Sequence, residues 1–316
     1  MRRLPYRAFL VVFALSMGAG QNPAPAQRSP VPVHAAHFDL VKNHIIISIE
    51  VNGSVPERFI VDTGNGLGAI LMKSNAEKMS ITLAPTTQIS CLQSLGKGWV
   101  NSWGAASVSF GIEGKTFFTG FAIVVEAPLL EERFERNNID GIIGSALFAS
   151  FVVELDFNTQ TLKLYEPKSY RYIGTGQVVR IRALGNVPVS VGRVTLPDGK
   201  TVKAKIEIDT GDGLALNLNS PFCKKHHLPG NQPLTKLERV GLCGANEDSE
   251  GYVNAVRFGE AVVQRPDTAF ALPRQDISAS KNFDGRVGVS FLENFKVIFD
   301  FPRNQMILEP RQGAIR

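Results

Sequence analysis

The chain has 316 residues, of which 44% are hydrophobic and 20% charged, with 29 glycines and 18 prolines. That apolar share fills a large core and excludes wholesale disorder, and the length suits roughly two domains. The net charge is +5, but removing Arg2, Arg3 and Arg7 leaves 31 basic against 29 acidic residues, which excludes the concentrated basic face of a nucleic-acid binder.

Residues 1–26 read as an export signal peptide. The three arginines form a positive start, Ala8 to Ala19 form an apolar stretch of twelve residues, and Ala24-Pro25-Ala26 supplies a small-x-small cleavage pattern. Twelve apolar residues are too few to span about 30 Å of hydrocarbon. The sequence therefore predicts cleavage, no membrane insertion afterwards, and a periplasmic or extracellular protein with a short tail over 27–36. Export permits one disulfide among Cys91, Cys223 and Cys243. Cys223 and Cys243 are favoured by lying in the same half, while three buried free thiols fit as well.

The elements that follow are mostly strands. His44 to Val51 is apolar and β-branched and ends at Asn52-Gly53, a two-residue hairpin signal, with the return strand over Glu57 to Val61. Ser74 is placed to cap a short helix over Asn75 to Met79. Phe117, Phe118 and Phe121 read as core strand residues, and Trp99 and Trp103 as core or substrate-contacting residues. Thr161 to Pro167 is a further strand, and 168–178 links the halves. In the second half, strands over Val189 to Leu196 and Val202 to Ile208 flank a turn at Pro197-Asp198-Gly199, and Ser220 is placed to cap a helix over Pro221 to His226. Cys223, His226 and His227 lack a second ligand pair and imply no metal site. A last strand covers Gln305 to Pro310, before a tail over 311–316.

Two blocks repeat. Asp62-Thr63-Gly64-Asn65-Gly66-Leu67 matches Asp209-Thr210-Gly211-Asp212-Gly213-Leu214 at an offset of 147 residues. Asp140-Gly141-Ile142-Ile143-Gly144 matches Asp284-Gly285-Arg286-Val287-Gly288 at an offset of 144, and each is followed by an Asp-Phe pair, Asp156-Phe157 and Asp300-Phe301, at that same offset. Two ordered blocks at nearly equal offsets define a tandem duplication. Asp140, Asp156, Asp284 and Asp300 read as turn or strand-end residues.

A strand ending in Asp-Thr-Gly presents a carboxylate on a tight turn. Twofold pairing of the turns would bring Asp62 and Asp209 together. Two carboxylates at about 3 Å share one proton, so one can activate a water while the other protonates a peptide carbonyl, with neither a covalent intermediate nor a metal required.

These motifs resemble the pepsin and retropepsin class of aspartic proteases, above all exported bacterial aspartyl protease family proteins, over residues 37–310. The resemblance implies a mostly β acid-protease fold with two homologous closed β-barrel lobes, 37–167 and 179–310, and a few short helices. It implies Asp62 and Asp209 as catalytic residues, with Thr63, Gly64, Thr210 and Gly211 supporting them and Ile142-Ile143-Gly144 and Val287-Gly288 packing behind. The implied function is a monomeric endopeptidase acting on a peptide or protein substrate, with no cofactor, no metal and no nucleic acid.

Three positions depart from the family pattern. Asn65 and Asp212 stand where Ser or Ala is usual. Asn65 can donate a hydrogen bond, and an inward Asp212 would raise the pKa of neighbouring acids. Arg286 replaces an apolar residue, with Asp212 and Asp284 as its expected partners. The flap hairpins expected over the cleft fall in Ser90 to Asn101 and Gly241 to Tyr252. An inactive peptide-binding module of the same fold is the alternative reading.

Overall fold

The structure, a computed structural model, describes residues 30–90, 94–273 and 276–311; the predicted signal peptide and Cys91 lie outside the described residues. The described chain is mostly β, with twenty-four strands and five short α-helices. The strands form three sheets. The first repeat supplies an eight-stranded sheet and the second a ten-stranded sheet. A six-stranded sheet draws on both, pairing Val152–Asp156 with Phe295–Asp300 in antiparallel register, Val153 opposite Phe299. Continuous backbone hydrogen bonding therefore joins the two halves of the chain.

Several strands begin and end where their sequence pattern places them. His44–Val51 and Glu57–Val61 pair antiparallel across Asn52-Gly53, whose φ values of 50° and 73° are those of a twist-matched two-residue turn. Asn and Gly tolerate such angles, which would strain a β-branched residue. In the second half Val187–Thr195 and Thr201–Ile208 pair across Pro197-Asp198-Gly199. Gln305–Pro310 matches its predicted range, whereas the strand predicted to Pro167 ends at Tyr165.

The repeat extends to topology. Glu57–Val61 runs parallel to Gly141–Ile143, and Thr201–Ile208 runs parallel to Gly285–Val287. In both halves the shorter strand also pairs antiparallel with the one after the Asp-Thr-Gly turn, Ala69–Met72 or Leu216–Leu218. The aspartates behind these strands brace the same spot. The backbone N–H of Arg58 donates to Asp140 Oδ2 at 2.8 Å, and that of Lys205 to Asp284 Oδ2 at 2.8 Å.

Phe148, Phe299 and Phe301 meet across the halves, Phe148 edge-on to Phe299 at 5.3 Å and stacked on Phe301 at 5.4 Å. Full burial of one such aromatic contributes about 1.5–3 kcal/mol.

Other expectations are corrected. Neither predicted serine caps its helix: the helices are Lys73–Lys78 and Ser220–Lys225, entered two positions before Ser74 from Met72 and one before Ser220 from Asn219, without a side-chain cap. Phe121 is 52% exposed rather than core, because it points away from the sheet's packed face. Phe117 and Phe118 are partly buried against the core. Cys223 is a free, buried thiol, whereas Cys243 is disulfide-bonded, so the Cys223–Cys243 pairing does not form. No helix among the described residues is long and apolar enough to cross a membrane.

Candidate active site

The two Asp-Thr-Gly turns meet at the junction of the repeats. Each aspartate is delivered by a strand end and fixed by the short strand beside it: Asp62 N–H donates to Ile143 O at 2.9 Å, and Asp209 N–H to Val287 O at 2.9 Å. The threonines then bind the turns to each other. Thr63 N–H donates to Thr210 Oγ1 at 2.9 Å, and Thr63 Oγ1 donates to Ile208 O at 2.7 Å. The reciprocal pair has Thr210 N–H donating to Thr63 Oγ1 at 2.9 Å and Thr210 Oγ1 donating to Val61 O at 2.8 Å. Both threonines are fully buried, so every one of these bonds is shielded from competing water.

This cross-bracing sets the carboxyl groups face to face. Asp62 Oδ1 accepts from Gly64 N–H at 2.8 Å and Asn65 N–H at 3.1 Å, and Asp209 Oδ1 accepts from Gly211 N–H at 3.0 Å. The glycines are required by the partner chain segment. A Cβ on Gly64 would lie 2.6 Å from Asp209 Oδ1, and one on Gly211 would collide with the Asp62 carboxyl. Asp62 and Asp209 are hydrogen-bonded to each other. Burial raises the pKa of Asp62 well above the usual carboxylate range, and the neighbouring Asp209 charge raises it further. Burial also raises Asp209, opposed by Arg286 and by the bond to Asp62. The two carboxyls titrate as a coupled pair in which burial favours retention of a proton, and Arg286 favours the ionised form of Asp209.

Behind the turns, the two hydrophobic-Gly blocks do equivalent work. Ser145 N–H donates to Asn65 O at 3.0 Å and Val289 N–H to Asp212 O at 2.8 Å. The side chains of Asn65 and Asp212 also coincide in role, accepting from Leu67 N–H and Leu214 N–H at 3.0 Å each. Asn65 reaches Asp62 through its backbone, not through the side-chain amide expected to donate.

A cavity of about 710 Å³ contains both carboxyls, and the strand residues beside them differ between the repeats. On the first-repeat side lie Ile60, Ile70, Ile89, Leu130, Phe134 and Ile142. On the other lie Glu207, Asp212, Arg239 and Arg286. Arg239 Nη2 bonds Asp212 Oδ2 at 2.6 Å, and Asn217 Nδ2 donates to the same oxygen at 2.8 Å. Burial works to raise the Asp212 pKa, but Arg239, then Arg286, and these hydrogen bonds hold it below the usual range. Asp212 nonetheless contributes to raising Asp209, as expected of an inward acid. Arg286 does not take its expected partners: its Nε lies 3.7 Å from Glu207 Oε2, while Asp212 belongs to Arg239 and Asp284 to the Lys205 backbone. Burial pushes the Glu207 carboxyl up to about 8, with Arg286 pulling against it.

Two hairpins close around the cavity. Thr87–Ser90 pairs with Trp99–Ile112, and Thr235–Gly241 pairs with Gly244–Tyr252. Both lie where flaps are expected, although the second starts six residues earlier than its predicted range. Their tips touch. Cys243 N–H donates to Leu95 O at 3.1 Å, Lys97 N–H donates to Cys243 O at 3.3 Å, and Leu242 N–H donates to Ser94 Oγ at 3.1 Å. Trp99 is largely exposed and Trp103 packs against the core under Lys73, so neither lines the cavity.

Asp62, Thr63, Gly64, Asp209, Thr210 and Gly211 thus converge as the repeat predicts. Glu207 and Arg239 were not singled out from the sequence. Glu207 was legible in the repeat itself, where it aligns with Ile60 at the same offset of 147 as the aspartates. Arg239 had no such signal, since the hairpin carrying it is not part of the matched blocks. No protein-family model matches this chain, and a search of curated proteins finds no match.

Proposed function

We propose that this chain is an exported aspartic-type endopeptidase of the pepsin and retropepsin type, with one lobe from each repeat and Asp62 and Asp209 as its catalytic dyad. One observation carries the reading: the reciprocal threonine bonding holds the Asp62 and Asp209 carboxyls together, both with raised pKa, in a cavity of about 710 Å³. In the reaction, the Asp209 carboxylate removes a proton from a water whose oxygen attacks the scissile carbonyl carbon. Asp62 donates its proton to the carbonyl oxygen, giving a neutral gem-diol. Proton transfer from Asp209 to the amide nitrogen and return of a diol proton to Asp62 then break the C–N bond. The dyad ends with its starting count of protons.

The backbone donors on each Oδ1 and the threonine bracing keep the carboxyls from rotating, so little reorganisation is needed as charge shifts between them. Asp62→Asn and Asp209→Asn keep the shape of each side chain and remove one titrating member. Each is expected to lower kcat/KM on a peptide substrate by at least about a thousandfold. Activity of either variant near that of the wild type would refute the assignment.

A further inference from the structure

Glu207 and Arg286 are 5% and 7% exposed, line the cavity beside Asp209, and are incompletely satisfied. Arg286 Nε and Glu207 Oε2 face each other at 3.7 Å, beyond hydrogen-bonding distance, and neither atom has a hydrogen-bond partner among the described residues. Buried donors and acceptors left in this state are destabilised relative to paired ones. Both residues line the cavity, where a ligand group can bond to the polar atoms they present to it. In the first repeat the matching positions are Ile60 and Ile142, which offer only apolar contact.

We propose that Glu207 and Arg286 form a subsite for a primary amide, the side chain of glutamine or asparagine, in the substrate residue on the second-repeat side of the scissile bond. The residue on the other side is apolar and packs against Ile60, Ile70 and Ile142. This subsite rests on the endopeptidase reading.

Charge selects the amide over its rivals. A substrate carboxylate would sit beside Asp209 and Asp212, which already share Arg239 and Arg286. A substrate ammonium would meet the two guanidinium groups. An amide carries no charge, its carbonyl accepts from the Arg286 fork, and its NH₂ donates to the Glu207 carboxyl. A site with buried polar groups of this kind discriminates strongly against a substrate that lacks the matching donor and acceptor.

The test uses the full mature chain and two sets of fluorogenic peptides. Leu is fixed on one side of the scissile bond, and Gln, Leu, Glu or Lys is placed on the other, in both orders. In one order only, kcat/KM for Gln is expected to exceed that for Leu at least tenfold, with Glu and Lys below Gln. Installing the first-repeat residues in E207I/R286I should bring the Gln-to-Leu ratio near one. R286K, which keeps the charge and loses the fork, serves if the double variant does not fold, and should lower the same ratio. A wild-type ratio near one in both orders, or Glu or Lys outranking Gln, overturns the proposal. Binding of uncleavable reduced-amide peptides with Leu-Gln and Leu-Leu at the centre separates the two readings. Gln-selective binding without cleavage of any peptide overturns the protease assignment and keeps the subsite, whereas cleavage with no Gln preference does the reverse.

Discussion

The strands beside the two aspartates share one backbone plan and differ in chemistry. Ile142 stands opposite Ile60 on one neighbouring strand and Ile70 on the other; Arg286 stands opposite Glu207 and Asn217 in the same register. The hydrogen bonds from Asp62 and Asp209 to the strands behind them are alike in both halves, as are the threonine bonds. What the doubling has kept is therefore the bonding that positions the carboxyls, and what has diverged is the surface around them. An isoleucine removed from water contributes about 1.5–3 kcal/mol wherever it packs. A buried Glu–Arg pair gains little over such a packed apolar pair, because desolvation offsets the Coulomb attraction. The Glu207–Arg286 pair is thus better explained by recognition than by stability.

The largest expected break in this comparison comes from splitting the charged pair. Glu207→Ile leaves Arg286 buried beside one carboxyl fewer, and arginine cannot shed its charge. Above pH 8, where Glu207 is ionised, a loss of about 3–5 kcal/mol in denaturant unfolding is expected, with the double variant E207I/R286I within about 1 kcal/mol of wild type. Equal losses in the single and double variants would show that the two side chains do not depend on each other.

A smaller effect tests the part that the halves share. Thr210→Val strips the Thr63 N–H of its acceptor and Val61 O of its donor, and Thr63→Val does the same to the Thr210 N–H and Ile208 O. Each change should lower stability by about 1–3 kcal/mol. The two values should agree closely; a marked inequality would mean that one repeat carries the junction.

The last effect is read as a slope against pH. Glu207 stays protonated in the folded protein up to about 8, whereas its ordinary pKa is 4.5. Between those values the unfolded chain releases a proton that the folded chain retains, so stability falls as pH rises, by at most about 1.4 kcal/mol per pH unit from this group. Asp62 and Asp209, also raised, act in the same direction. In Glu207→Gln that contribution is gone, and urea unfolding between pH 5 and 8 should show a shallower decline than wild type. An unchanged slope would mean that Glu207 titrates normally in the fold.

Local patterns were readable where one short stretch carries its own physics. Asn52-Gly53 sets a turn because only a few residues tolerate its angles, and the alternation on either side places His44–Val51 and Glu57–Val61. The long hairpin of Trp99–Ile112 and Lys115–Glu126 was not predicted, and it contains a register shift between Ala105 and Val108 that breaks simple alternation. The helix Pro128–Glu135 was also missed; only Leu130 and Phe134 are buried in it, too few to mark a periodic face. Cys243 could not be assigned from spacing, since its hairpin tip is brought against Leu95 and Lys97 only by folding.

By itself, the order of residues established a doubled, strand-rich chain and named the two acids, because repetition and turn chemistry are written in neighbouring positions. Tertiary structure alone decided that Glu207 rather than Asp212 faces Arg286, that Arg239 neutralises Asp212, and that the hairpin tips touch. Those outcomes depend on which side chains meet after distant strands pair, and burial then sets how strongly each charge is felt.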